Sequence, residues 1–164
     1  MSNNLFDLSF QRTVPVEPDQ IWRCWTKPEH LLPWFCPLPW KTIDCEIDLR
    51  PGGIFRTTML SPEGQQFPNL GCFLDIVPNR RLVWTNALEP GFRPSALLSE
   101  TPCEGFAFTA FIALEPVDAG TRYTATVKHA DEAGMQAHAA MGFEQGWGTA
   151  LEQMVAYIQS AQST

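Results

Sequence analysis

The stretch that decides the fold runs from residue 141 to residue 158, MGFEQGWGTALEQMVAYI. Its large apolar side chains recur at the spacing of one helical face, which predicts a helix from Phe143 to about Gln159. The apolar stripe consists of Phe143, Trp147, Leu151, Met154 and Ile158. A stripe of this length needs a partner surface, and a β-sheet is the only large one that the remaining sequence predicts. Gly146 and Gly148 each lower helix stability by about 1 kcal/mol relative to alanine. We therefore expect that their missing side chains allow the sheet or a ligand to approach the helix backbone closely.

The chain before this helix shows the two-residue alternation of β-strands. Strands are predicted over residues 5–14, 43–49, 55–59, 70–77, 82–88, 106–114 and 121–129, with turns rich in proline and glycine between most of them. Pro18 and Pro28 each begin a short helix, and Asp131 is predicted to cap a short alanine-rich helix that ends before Gly142. The predicted fold class is α+β, with a curved antiparallel sheet wrapped around the long C-terminal helix.

The segment from residue 89 to residue 103 interrupts this regular pattern. It contains Pro90, Gly91, Pro94 and Pro102 and shows no periodicity. A loop of this length is uncommon unless it is disordered or serves as a lid or binding loop. We therefore predict a lid in this part of the chain.

Length, charge and cysteine content narrow the class of protein. The 164 residues are expected to form one domain, residues 1–164. The net charge of −7 lacks the attraction to phosphate on which most nucleic-acid binding depends, so neither nucleic acid nor an anionic membrane is an expected partner.

With no export signal or apolar span, a cytoplasmic location is expected. The cysteines form no C-x-x-C pair and are expected to be reduced: Cys24, Cys36, Cys45, Cys72 and Cys103.

Aromatic residues make up 12% of the chain, with six tryptophans and eleven phenylalanines. Periodicity directs most of them inward, where they either contact one another or enclose an apolar pocket of a few hundred Å³. The residues predicted to line such a pocket are Trp40, Phe55, Met59, Phe73, Trp84, Phe106, Phe108, His129, Met135, Met141, Phe143 and Trp147. The polar residues that would orient a ligand are Arg56, Asn86, Glu104 and His129.

Motifs for catalysis or metal binding are missing from the sequence. The three histidines, His30, His129 and His138, include no pair four residues apart, and there is neither a nucleophile elbow nor a phosphate-binding loop. We therefore assign no catalytic residue and expect no metal and no cofactor. His129 either faces the pocket as a general base or hydrogen-bond anchor, or lies capped or solvated at the end of its strand. His138, three residues from both Met135 and Met141, lies either at the mouth of the cavity or half-exposed on the surface of its helix, and the surface position is the one predicted.

Several of these motifs, taken in order, resemble the activator of heat-shock protein 90 ATPase branch of the START-like, or SRPBCC, superfamily. Residues 18–25 are similar to that branch's proline-led helix, and residues 28–35 to its proline-acid-x-leucine segment closed by two aromatics. Residues 48–55 are similar to its Arg-Pro-Gly-Gly hairpin, and residues 141–151 to its Gly-Trp entry into the final helix. The resemblance spans roughly residues 10–158 and implies a helix-grip fold with a hydrophobic cavity.

Three functions follow from the residues and the resemblance. The first is a binding module for a small hydrophobic or aromatic molecule, held between the C-terminal helix and the sheet. The second is a cyclase- or hydrolase-like enzyme that uses His129 in the cavity. The third is a protein-interaction module, either chaperone-linked by family analogy, with a role in stress response, or self-associating as a homodimer.

Overall fold

The structure is a computed structural model that describes residues 6–95 and 107–162. The helices of the described residues are α1 (Pro18–Thr26), α2 (Pro28–Leu31), α3 (Glu132–Ala140) and α4 (Phe143–Gln162). The strands are β1 (Asp7–Val14), β2 (Lys41–Ile47), β3 (Ile54–Leu60), β4 (Gln66–Val77), β5 (Arg81–Thr85), β6 (Leu88–Glu89), β7 (Arg93–Pro94), β8 (Phe108–Val117) and β9 (Gly120–His129).

Seven of these strands form one antiparallel sheet in the order β1-β9-β8-β5-β4-β3-β2. The predicted stripe of α4 packs into the core beside it, because Phe143, Leu151, Met154 and Ile158 are all buried and Trp147 is half-buried. The α+β class and the long C-terminal helix beside an antiparallel sheet are therefore confirmed.

The chain leaves the sheet earlier than the alternation pattern predicts. The strand expected over residues 82–88 ends at Thr85, whose hydroxyl accepts a hydrogen bond from the Ala87 backbone N–H at 3.0 Å. The side-chain oxygen of Asn86 accepts another from the Phe108 N–H at 2.8 Å. These bonds turn the chain into the short hairpin of β6 and β7. The start of the predicted lid is thus paired backbone, and residues 96–106 lie outside the described part of the chain.

Strand β2 differs from its predicted alternation at its first residues. In a strand over residues 43–49, alternation places the apolar residues Ile43, Cys45 and Ile47 on the inner face, but Ile43 is 42% exposed, whereas Thr42 is buried. The pairing of β2 with β3 shifts register between Thr42 and Asp44. A bulge of this kind reverses the direction of the side chains on one side of it, so the prediction for Ile43 is wrong.

The two glycines of α4 have different surroundings. A side chain at Gly148 would begin 3.4 Å from the guanidinium Nη2 of Arg12, so β1 does approach the helix backbone there, as predicted. A Cβ built on Gly146 would have no described atom within 4 Å.

Gly71 provides a test of the packing between β4 and β5. A Cβ built on Gly71 lies 2.6 Å from the carbonyl oxygen of Thr85, which neither strand can relieve without moving backbone. We expect Gly71→Ala to lower the free energy of unfolding by about 1–3 kcal/mol, measured by urea denaturation. The control is Gly146→Ala, which should raise stability by about 0.5–1 kcal/mol because alanine favours the helix. Equal stability of the two variants would contradict this account.

Candidate functional site

The aromatic residues between the sheet and the two C-terminal helices form one continuous series of ring contacts. Successive ring centroids are 4.9–5.6 Å apart, beginning in β3 and β4, passing through β5 and β8, and ending in α3 and α4. We call this series the ring cluster: Phe73, Phe55, Trp84, Phe108, His138, Phe143 and Trp147. It brings together most of the aromatic residues that the sequence assigns to a pocket.

Two of the other predicted pocket residues, Trp40 and Met141, are exposed. Trp40 is 37% exposed and contacts Phe67 on the surface, at 5.4 Å between ring centroids. Met141 is 75% exposed, since it ends α3 just before the left-handed turn at Gly142 (φ 83°). The inward direction expected for Met141 is therefore wrong. Met59 and Met135 are half-buried, and Phe106 lies outside the described residues.

Two clefts lined by described residues lie away from the ring cluster. One, of about 230 Å³, is lined by residues of the 32–42 segment that include Leu38 and Trp40. The other, of about 220 Å³, lies between α1, α2 and the end of α4, where His30 Nδ1 is 2.6 Å from the Tyr157 hydroxyl. The cavity expected between α4 and the sheet is neither of these, and it stays a prediction.

His129 and His138 are both buried and lie in a hydrogen-bonded series with defined proton positions. The Phe6 carbonyl, which only accepts, lies 2.8 Å from His129 Nδ1. The Trp147 indole, which only donates, lies 3.3 Å from His138 Nε2. His129 Nε2 and His138 Nδ1 are 2.9 Å apart. Each neutral imidazole therefore carries its proton on Nδ1, and His138 Nδ1–H donates to His129 Nε2.

This series overturns the surface position predicted for His138 and shows His129 buried rather than solvated, bonded to Phe6 and His138. His138 is 8% exposed and His129 is 7% exposed. No pattern in the sequence indicates that these two histidines pair, because the pairing depends on how α3 folds back over the end of β9. Asp131 stops β9 and caps α3 by accepting from the Gly134 N–H at 2.8 Å, as predicted. About two turns after the cap, the helix directs His138 at His129.

The environment of His138 favours its neutral form. Burial and the neighbouring His129 lower the pKa of His138 from 6.5 to about 4. The hydrogen bonds act in the same direction, since an added proton on His138 Nε2 would face the Trp147 N–H. His138 is therefore uncharged at neutral pH.

Helix α3 is attached to the rest of the protein by very little apolar surface. Of its residues, 132–140, His138 alone is buried, and Gly134 and Met135 are half-buried. A helix with few buried contacts is a segment that opens at low free-energy cost. His138 is thus the main contact that holds α3 against the ring cluster.

Trp84 differs from the other buried tryptophans in its indole N–H. Trp25 donates to the Tyr123 hydroxyl at 3.2 Å and Trp34 to the Cys24 carbonyl at 3.3 Å. Trp84 is 7% exposed, and its Nε1 finds no acceptor among residues 6–95 and 107–162. A buried donor without a partner costs about 1–3 kcal/mol.

The remaining polar candidates do not converge on the ring cluster. Arg56 donates to Asp44 at 2.6 Å and to Glu46 at 3.3 Å, on the solvated side of β2 and β3. Asn86 accepts a hydrogen bond from the Phe108 N–H at the turn after β5. Glu104 lies outside the described residues. The described buried polar side chains are threonine, serine and histidine, and none is charged. The interior therefore offers hydrogen bonds without a counter-charge.

The described cysteines do not supply a nucleophile. Cys24, Cys36, Cys45 and Cys72 are free thiols. Burial raises the pKa of Cys24 and of Cys45 to about 12, so both are protonated at neutral pH. Within the described ranges, no three His, Cys, Asp or Glu side chains converge as metal ligands. No helix there is both long and apolar enough to span a membrane.

The family described as "Activator of Hsp90 ATPase homolog 1-like protein" matches residues 15–159. A structure from Nitrosomonas europaea is 40% identical, covers 99% of this chain and 100% of its own, and superimposes with a TM-score of 0.90. A structure from Rhodobacter sphaeroides is 22% identical, covers 98% of this chain and 97% of its own, and has a TM-score of 0.80. An AHSA1-like protein from Aeromonas hydrophila is 18% identical, covers 95% of this chain and 94% of its own, and has a TM-score of 0.68. Comparison with curated proteins gives no match.

The chain thus has the START-like helix-grip fold, and it belongs to the family of Activator of Hsp90 ATPase homolog 1-like proteins. The resemblance on which the sequence interpretation depends is confirmed. The fold is generally one that binds ligands.

The depressed pKa of His138 predicts a specific dependence of stability on pH. As pH falls, the unfolded chain protonates this residue near 6.5 and the folded chain only near 4. Its contribution to stability is therefore complete above about pH 6.5 and is lost as pH falls to about 4. Between pH 7.5 and pH 5 the wild type should lose about 1–2 kcal/mol more than His138→Gln, measured by urea denaturation.

The matched control is His30→Gln, which removes a half-buried histidine outside the ring cluster. This variant should keep the pH dependence of the wild type. An identical pH dependence in His138→Gln and the wild type would show that His138 is not the group responsible.

Proposed function

We propose that this protein binds a small hydrophobic or aromatic molecule at the ring cluster, between the sheet and the helices α3 and α4. The observation that carries the proposal is the ring cluster itself, an uninterrupted aromatic surface joining the sheet to both C-terminal helices. Aromatic walls with a few polar groups are typical of small-molecule sites. The ligand-binding character of the fold supports the same function.

The weak attachment of α3 gives a ligand its route to these rings. Phe108 lies between Trp84 and His138, with ring centroids at 5.4 Å and 5.6 Å, and is only half-buried. Movement of α3 carries His138 away from Phe108 and lets the phenyl ring rotate. A ligand then packs against Phe108 and Trp84 and replaces one set of aromatic contacts by another.

The enzymatic alternative keeps one supporting observation. His129 points inward and lies within hydrogen-bonding distance of a second polar side chain, His138, which is the geometry that a cavity base requires. However, His129 Nε2 accepts a hydrogen bond from His138, and His138 Nε2 accepts one from the Trp147 indole. Neither nitrogen is available as a base while these bonds are in place. Proton abstraction would require Trp147 to leave first, so binding is the better supported function.

A different observation supports the homodimer alternative. Leu38, Trp40 and Ile43 are exposed in and just before β2, which is the last strand of the sheet. Exposed apolar side chains at a sheet edge are typical of an interaction surface. The bulge between Thr42 and Asp44 opposes edge-to-edge pairing with another strand, so this interpretation ranks below ligand binding.

Titration with the uncharged fluorophore N-phenyl-1-naphthylamine tests the proposed binding. We expect saturable fluorescence enhancement in the wild type. Phe108→Leu keeps an apolar side chain but removes a ring contact, and it should weaken binding about 3- to 10-fold. Trp40→Leu is the matched control, because it makes the same kind of change at the surface cleft and should leave the affinity unchanged. Absence of saturable binding, or loss in the Trp40 variant alone, would refute the ring cluster as the site.

A further inference from the structure

The indole N–H of Trp84 lies in the ring cluster, where no group of the described residues accepts a hydrogen bond from it. The residue is more than nine-tenths buried, in the middle strand of the sheet, and its N–H has no acceptor in the described part of the chain. Trp25, Trp34 and Trp147 all find an acceptor for the same group. The unpaired donor is therefore particular to position 84 rather than a general feature of this aromatic interior.

The surroundings of Trp84 favour an apolar molecule with one acceptor over a water molecule. Its ring contacts are Phe55 at 4.9 Å, Phe108 at 5.4 Å and Trp25 at 6.3 Å between centroids. Buried water is stable where it finds two to four polar partners. The one polar group on these three rings, the indole N–H of Trp25, already donates to Tyr123 and does not supply a second partner. A carbonyl or ether oxygen on an aromatic body satisfies the donor and places carbon against the rings.

The same interior discriminates against charged molecules. The described buried polar side chains include no lysine, arginine, aspartate or glutamate. The two histidines near the other side of Phe108 are bonded to each other, to the Phe6 carbonyl and to the Trp147 indole, none of which is an acidic or basic side chain of fixed charge. A carboxylate or ammonium group would be desolvated there without a counter-charge, which is strongly unfavourable.

We propose that Trp84 Nε1–H is the recognition donor of the binding site, and that the ligand is an uncharged aromatic or apolar molecule bearing a hydrogen-bond acceptor, such as a ketone, ester or ether. This inference rests on the proposed binding at the ring cluster. It adds the chemical class of the ligand and the residue that selects it.

Two isosteric probes test the donor directly. 2-Acetylnaphthalene carries a carbonyl where 2-isopropenylnaphthalene carries a methylene, and the two have nearly the same shape. Because a buried donor left unpaired is costly, the wild type should bind the ketone about tenfold more tightly than the hydrocarbon, measured by competition with N-phenyl-1-naphthylamine. 2-Naphthoate, the anionic analogue, should compete more weakly than either probe.

Two tryptophan variants assign the preference to one indole. Trp84→Phe removes the N–H and should bring the affinity ratio of ketone to hydrocarbon close to one. Trp34→Phe is the matched control, because its N–H is already bonded to the Cys24 carbonyl, and it should keep the tenfold ratio. A ratio of one in the wild type, or a tenfold ratio that survives in Trp84→Phe, would overturn the inference while leaving the proposed binding intact. Failure of both naphthalenes to bind would instead refute the proposed binding.

Nuclear magnetic resonance provides a measurement that does not depend on the variant folding. In ¹⁵N-labelled wild type, the indole N–H resonance of Trp84 should move downfield on addition of the ketone and much less on addition of the hydrocarbon. The Trp34 indole resonance should move little with either probe. Equal movement of the Trp84 resonance with both probes would contradict a hydrogen bond to the carbonyl.

Discussion

Burial of the apolar stripe of α4 is the interaction on which the rest of this structure depends. Phe143, Leu151, Met154 and Ile158 each lose nearly all contact with water. Full burial of such side chains contributes about 1.5–3 kcal/mol apiece, so the four together contribute about 6–12 kcal/mol. That sum is comparable with the whole stability of an ordinary domain, about 5–15 kcal/mol. The position of α4 is therefore fixed, and α3, which is joined to it through Met141 and Gly142, has one end anchored.

The anchoring of α3 is of a different kind. Its buried contact with the interior is His138, which is hydrogen-bonded to His129 on the sheet and Trp147 on α4 and contacts the rings of Phe108 and Phe143. Net hydrogen-bond contributions are about 0.5–1.5 kcal/mol each, well below what the stripe of α4 supplies. The structure thus combines a firmly held helix with a lightly held one on the same aromatic surface, which is the combination that a binding site with an entrance requires.

The apolar periodicity of the sequence was sufficient for the architecture and insufficient for the site. The stripe of α4 and the strand alternation follow from residue spacing alone, since both describe which side chains face one core. Two local features escaped this reasoning. The bulge at Thr42 and Asp44 exposes Ile43, and the hydrogen bonds of Thr85 and Asn86 end β5 early. Both depend on polar backbone pairing, which leaves no trace in the spacing of apolar residues.

The histidine pair shows the same limit at the site itself. His138 lies in a helix of weak amphipathic pattern, so its surroundings indicate a surface residue, and only the tertiary path from Asp131 brings it to His129. Once it is there, its neighbours set the directions of the hydrogen bonds, because the series has an acceptor at one end and a donor at the other. Phe108 lies between this histidine pair and the Trp84 indole, which has no acceptor among the described residues, and no described lysine, arginine, aspartate or glutamate is buried there. In the proposed binding site, selection would therefore depend on the placement of single hydrogen bonds rather than on charge.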